Sequence, residues 1–229
     1  MALFGIGDLH LSLSSAKPMD VFEGWEDYSD RLLQNWKSRI TNEDTVVIPG
    51  DLSWAMTLEQ AYKDFSFINN LPGNKIILKG NHDYWWSTVK KIETWLNVND
   101  FSSVSVLHNN SYMYGKIAIT GTRGWNLERD NAESIKIYLR EVGRLRLSLD
   151  DAVKKDPEEI IVFLHYPPIY SNYIQHEMID LFSEYGIKKC FYGHVHGKSI
   201  DYSINKEVGG ITYRLISADH LRFSPRYIL

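Results

Sequence analysis

The sequence predicts an α/β fold with a mixed sheet. Three observations predict it. Short apolar, β-branched runs alternate with longer stretches of helical periodicity. Several of the runs are continuously apolar, as strands buried on both faces are. The C-terminal part reads as a closing hairpin, which adds antiparallel pairing to a parallel sheet. Strands are read at residues 2–7, 44–48, 75–79, 104–107, 117–121, 160–164 and 188–192, with residues 200–204 and 211–217 as the hairpin.

The helices fall between these runs. Residues 24–40 place Trp25, Tyr28, Leu32, Trp36 and Ile40 on one stripe. Thr57 and Gln60 resemble a capping box, followed by Leu58, Ala61, Phe65 and Ile68 at helical spacing. Ser87 is a candidate cap for a helix carrying Val89, Ile92 and Leu96. Residues 131–154 form a long amphipathic pattern with a basic outer face, and 174–185 a shorter one ended by Gly186. No linker divides the chain, so residues 1–229 read as one domain, with 122–159 the best candidate for an insertion over the core.

The composition is that of an ordinary globular protein: of 229 residues, 44% are hydrophobic and 24% charged. The net charge of −4 offers no bulk attraction to nucleic acid or to an anionic membrane. A single cysteine, Cys190, excludes an internal disulfide and suits a reducing compartment. The N-terminus lacks a basic region and a long apolar run, and no stretch reaches the roughly 18 apolar residues of a spanning helix. Cytoplasmic location is the expectation, and the oligomeric state is left open.

The chemistry is concentrated at strand ends. Asp8 and His10 follow the first strand, Gly50 and Asp51 the second, and Gly80-Asn81-His82-Asp83 the third. His165 follows 160–164, and Gly193-His194-Val195-His196 follows 188–192. Ligands bind outside the carboxyl ends of strands in open α/β sheets, so residues far apart in sequence can share one crevice. Carboxylate, amide and imidazole without a thiolate set suit divalent Mn, Fe, Zn or Co. Two such ions about 3.5–4 Å apart can clamp a phosphoryl group and hold a hydroxide for in-line attack. The glycines before Asp51, Asn81 and His194 allow the chain to turn tightly where a strand ends.

These five blocks, in this order, resemble the signature of the calcineurin-like metallophosphoesterases, and they span residues 8 to 196. The resemblance implies a four-layer α/β/β/α sandwich of two mixed sheets and a dinuclear centre, with manganese favoured. It implies Asp8, His10, Asp51 and His196 on one ion, and Asp51, Asn81, His165 and His194 on the other. Asp51 would bridge, His82 would protonate the leaving oxygen or stabilise charge, and Asp83 would orient His82. Protein serine/threonine phosphatases continue the second block with Asp-Arg-Gly, whereas this chain continues Leu52-Ser53-Trp54. Purple acid phosphatases place a tyrosine ligand where Trp54 stands. What remains is similar to the compact prokaryotic-type phosphohydrolases.

Other residues keep two readings. Trp54, Tyr84, Trp85, Trp86, Trp125, Tyr166 and Tyr170 lie close to the blocks and either pack the core or wall a pocket that stacks on a planar group. Trp54, Trp85 and Trp125 are the substrate-contact candidates among them. Arg123 either reaches a phosphate or makes a structural ion pair. Cys190 reads as a buried structural thiol, His108, His176 and His220 as surface or supporting residues, and the basic face of 136–155 as a solvated one. The expected function is hydrolysis of small-molecule phosphomono- or phosphodiesters. A nuclease would share the blocks, but the negative charge and the absence of a basic appendage count against it. A non-catalytic scaffold would be expected to have lost ligands, and every position is filled.

Overall fold

The structure is a computed structural model and describes residues 1–171 and 173–229. In chain order the strands and helices are β1 (Leu3–Gly5), α1 (Tyr28–Arg39), β2 (Thr45–Pro49), α2 (Tyr62–Asn69), β3 (Asn74–Leu78), α3 (Val89–Val98) and β4 (Val104–Val106). There follow β5 (Tyr112–Tyr114), β6 (Ile117–Thr122), α4 (Ala132–Val153), β7 (Glu159–Leu164), β8 (Ile169–Tyr170), β9 (Tyr173–Ile174) and α5 (His176–Glu184). The chain ends with β10 (Lys189–Tyr192), β11 (Glu207–Val208), β12 (Ile211–Leu215) and β13 (Arg226–Tyr227). They form two compact units, Met1–Val106 with Ile216–Leu229, and Leu107–Leu215. Each unit contains one mixed sheet, so the α/β class with two mixed sheets is what the chain adopts.

The first unit has the strand order β13-β1-β2-β3-β4. β1 to β4 are parallel, and only β13 runs antiparallel, on β1. Parallel neighbours need crossovers, and α1, α2 and α3 supply them. β2 reads TVVIP because Val46, Val47 and Ile48 are all fully buried, on alternate faces of the sheet. α1 buries Leu32 and Trp36 and fixes its position through Trp36 Nε1, which donates to the Pro72 carbonyl at 2.9 Å. α3 is capped by Thr88 rather than Ser87: the Thr88 hydroxyl accepts from Lys91 N. Phe65 of α2 lies at the middle of an aromatic cluster with Trp85, Trp95 and Phe101, at ring distances of 4.9, 5.2 and 6.2 Å.

The second unit has the order β11-β12-β10-β7-β6-β5, antiparallel at both edges and parallel within. Residues 122–159, singled out as a possible insertion, form the crossover between the neighbouring parallel strands β6 and β7. α4 packs on β6 and buries Tyr138, Leu145 and Leu149. The closing hairpin differs from expectation. β12 pairs with β11 through Gly209 and Gly210, both at positive φ (60° and 78°) as a tight hairpin turn requires. Residues 197–202 form a 3-10 turn instead of a strand. Edge strands β5, β8, β9, β11 and β13 are too short, at two or three residues, to carry a period-2 pattern. Three of the basic groups on and just after α4 are paired with acids: Arg144 with Glu141, Arg146 with Glu184 and Lys155 with Asp151. Among the described residues, no helix is long and apolar enough to cross a membrane.

Candidate metal centre

In the first unit the expected ligands follow consecutive parallel strands. Asp8 and His10 follow β1, Asp51 follows β2, and Asn81 follows β3. Asp8, His10 and Asp51 are buried, and His10 Nε2 lies 3.7 Å from Asp51 Oδ2. All three have left-handed backbones, with φ of 58°, 47° and 51°. Non-glycine residues in that region cost on the order of 1–3 kcal/mol each and cluster where function holds them. The turns are cross-tied: Asp8 N donates to Gly50 O at 3.0 Å and His10 N to Asp51 O at 2.9 Å. Asp51 Oδ1 accepts from the backbone N–H of His82 at 2.7 Å, which ties the third strand end to the second.

Gly80 is where side-chain size decides the geometry. A β-carbon there would collide with Asp51 N and Asp51 Oδ1. Gly80→Ala is therefore expected to push Asp51 out of place, at a cost of about 1–3 kcal/mol for overpacking. A lower Tm and faster loss of Mn²⁺ on dialysis would show it. Unchanged Tm and unchanged retention would mean that the turn has room to relax.

Asp83 gathers N–H groups from two turns. Its buried carboxylate accepts from Asp51 N at 2.9 Å, Leu52 N at 2.9 Å, Ser53 N at 3.3 Å, Gly80 N at 2.7 Å and Trp85 Nε1 at 3.1 Å. Burial pushes the carboxyl up to about 6, against the pull of those backbone N–H groups. Asp83 thus clasps the two turns that carry Asp51 and Asn81. The ring of His82 pairs elsewhere: its Nδ1 shares a hydrogen bond with the Tyr84 hydroxyl at 3.1 Å. Trp54 stacks on His10 at 5.0 Å and 22°, and lies 4.2 Å from His82. The Lys17 ammonium sits 4.2 Å over the same indole.

In the second unit, His165 directly follows β7, and His194 and His196 follow β10. The rings of His165 and His194 are 5.0 Å apart, and His194 also has a left-handed backbone, with φ 71°. Tyr166 packs against His194 at 4.1 Å. His194 and His196 line a cavity of about 390 Å³ together with Tyr166, Tyr170, Tyr173 and Gln175.

The family model for calcineurin-like phosphoesterases matches residues 1–198. The chain belongs to this family. Phosphoesterase chemistry with divalent metal ions follows from that membership. Among solved structures, a phosphopantetheinyl hydrolase from Mycobacterium tuberculosis is similar, with a TM-score of 0.61, 14% identity, and coverage of 100% of this chain and 95% of that one. A protein of unknown function from Aquifex aeolicus has a TM-score of 0.52 at 16% identity, covering 99% and 95%. A protein from Thermus thermophilus has a TM-score of 0.55 at 10% identity, covering 99% and 97%. At these identities the likeness shows the fold alone. A search of curated proteins finds no match.

The donors fit this phosphoesterase's metal requirement in their chemistry. Hard carboxylates and borderline imidazoles are held on strained, cross-tied turns rather than left free to swing. The substrate-contact candidates fit less well. Trp85 is 3% exposed and packs edge-on against Phe65, so its ring belongs to the core. Arg123 lies 3.4 Å from Glu141, a buried acid that also binds Arg144 and Thr122, and it stacks over Trp125. Its guanidinium is an ion-pair partner. Trp125 Nε1 donates to Ser134 Oγ at 2.9 Å, which locks the indole against α4. Trp54 supports two imidazoles. Sequence reasoning missed Tyr173, Gln175 and the Tyr84 hydroxyl. Tyr173 and Gln175 lie outside every motif, and no local pattern marks a hydrogen bond between Tyr84 and a histidine ring two residues away.

Proposed function

We propose that this phosphoesterase is a dinuclear enzyme that hydrolyses small-molecule phosphomono- or phosphodiesters in the cytoplasm, with manganese as the favoured metal. Asp8, His10, Asp51 and His196 hold one ion, and Asp51, Asn81, His165 and His194 hold the other. Divalent ions bound there supply charge stabilisation and a nucleophile usable at neutral pH. The chain's own part is to fix the ligands, to offer His82 to the leaving oxygen, and to keep both turns rigid through Asp83. The observation that supports this reading best is that all seven donors lie within five residues of the ends of parallel strands, four of them (Asp8, His10, Asp51 and His194) on left-handed backbone. A nucleic-acid substrate finds no support: the charge is −4, and three basic residues on and just after α4 are ion-paired.

Elemental analysis of the purified protein is expected to find about two transition-metal ions per chain, and a bis-aryl phosphodiester to be turned over only while they are bound. One ion at saturation, or turnover that survives chelation, would overturn the dinuclear reading.

A further inference from the structure

The 390 Å³ cavity falls within the range of about 300–1,000 Å³ typical of small-molecule sites. Its lining identifies what it would hold. Three tyrosines contribute, and two have their hydroxyls tied to backbone: Tyr170 donates to the Ser199 carbonyl at 3.1 Å and Tyr173 to the Leu127 carbonyl at 3.2 Å. Those hydroxyls fix the rings, and the rings are what remains to meet a ligand. Rings held this way lose little freedom on binding, so stacking on them carries a small entropic cost.

Apart from His194 and His196, the polar part of the lining is uncharged. Gln175 is buried, and its Nε2 donates to Trp125 O at 2.9 Å and Pro167 O at 3.0 Å, which braces the wall. Asn126 and Ser199 supply uncharged polar groups. Among the described residues, no lysine, arginine, aspartate or glutamate lines the cavity. Away from those two histidines, a charged moiety entering it would lose water without gaining a counter-ion. His194 and His196 share the lining, so the phosphoryl group of a substrate and the occupant of this cavity would belong to one molecule.

We infer that the cavity binds the organic part of the phosphoester, and that this part is an uncharged planar group, an aryl ring or a heterocyclic base. The inference rests on the reading of His194 and His196 as metal ligands. A polyphosphate, a phosphorylated sugar acid or a cationic headgroup would find no partner there.

The test uses phosphonates, whose C–P bond this hydrolase would not cleave, and calorimetry on the full-length protein loaded with Mn²⁺. Phenylphosphonate is expected to bind at least about tenfold more tightly than methylphosphonate, with cyclohexylphosphonate well below phenyl. Tyr170→Phe should keep that preference. Tyr170→Leu combined with Tyr173→Leu should bring phenylphosphonate to within about twofold of methylphosphonate while leaving methylphosphonate unchanged. Equal affinity for phenyl and methyl overturns the pocket assignment alone, and it does so with wild-type protein, whatever the variants do. Phenyl equal to cyclohexyl overturns planarity. A folded Leu double variant that keeps the preference overturns the role of these rings. No binding of any phosphonate to protein carrying two ions overturns the pocket assignment, and the bis-aryl phosphodiester assay then decides separately whether the metal reading survives.

Discussion

Asp51→Asn is expected to leave a folded protein that has lost stoichiometric metal and most of its activity. The substitution is nearly isosteric, and the environment tolerates the shape. An asparagine carbonyl can accept from the His82 N–H as Asp51 Oδ1 does at 2.7 Å. The turn itself is held from outside, by the Asp83 carboxylate on the N–H groups of Asp51 and Leu52. What disappears is one negative charge from the residue proposed to touch both ions. A bound ion supplies several kcal/mol of transition-state stabilisation, and about 1.4 kcal/mol is tenfold in rate. The loss in kcat/KM should be on the order of 10³, with bound metal well under two ions per chain by elemental analysis and Tm little changed in the metal-free form. Near-normal activity with metal content intact would show that Asp51 does not bridge.

The position of these candidate ligands just after strand ends was legible because two local signals coincide. A short apolar run followed by Gly-Asp, Gly-Asn-His or Gly-His announces a strand end and a tight turn together; β2 and β3 are β-branched as well, whereas β10 reads Lys-Cys-Phe-Tyr. The α/β class was legible for the same reason: β1 to β4 and the interior strands of the second sheet are long or apolar enough to read. The remainder depends on partners distant in sequence. Asp83 looks like the orienting carboxylate of a His-Asp pair, yet five N–H groups from residues 51–53, 80 and 85 converge on it, and only tertiary structure brings them there. Trp85 and Trp54 are neighbours of the blocks in sequence, but Trp85 packs on Phe65 within the core. Arg123 was ambiguous until Glu141, eighteen residues on, was found buried beside it. The pocket tyrosines were least legible, because what distinguishes Tyr170 and Tyr173 is where their hydroxyls go.

His82→Ala is expected to separate metal binding from turnover. The contact that links His82 to a proposed ligand is its backbone N–H to Asp51 Oδ1, and alanine keeps that N–H. The side chain does something else. Its ring lies 4.2 Å from Trp54 and 5.6 Å from His10, and Nδ1 shares the hydrogen bond with the Tyr84 hydroxyl. That hydrogen bond fixes the orientation of the ring. Deleting the ring should leave two ions bound and lower kcat by roughly 10²–10⁴, the range for a positioned acid–base group. The loss should shrink for esters with strongly acidic leaving groups, which leave without protonation. Tyr84→Phe removes only the partner of Nδ1 and should lower kcat in the same leaving-group-dependent way, by a smaller factor, with metal content unchanged. Two other results carry definite meanings. Loss of metal in His82→Ala would make His82 a ligand and remove Asn81 from that role. An equal drop in kcat across all leaving groups would mean that the imidazole stabilises charge on the phosphoryl oxygens instead of donating a proton, and Tyr84 would then hold a cation in place rather than orient an acid.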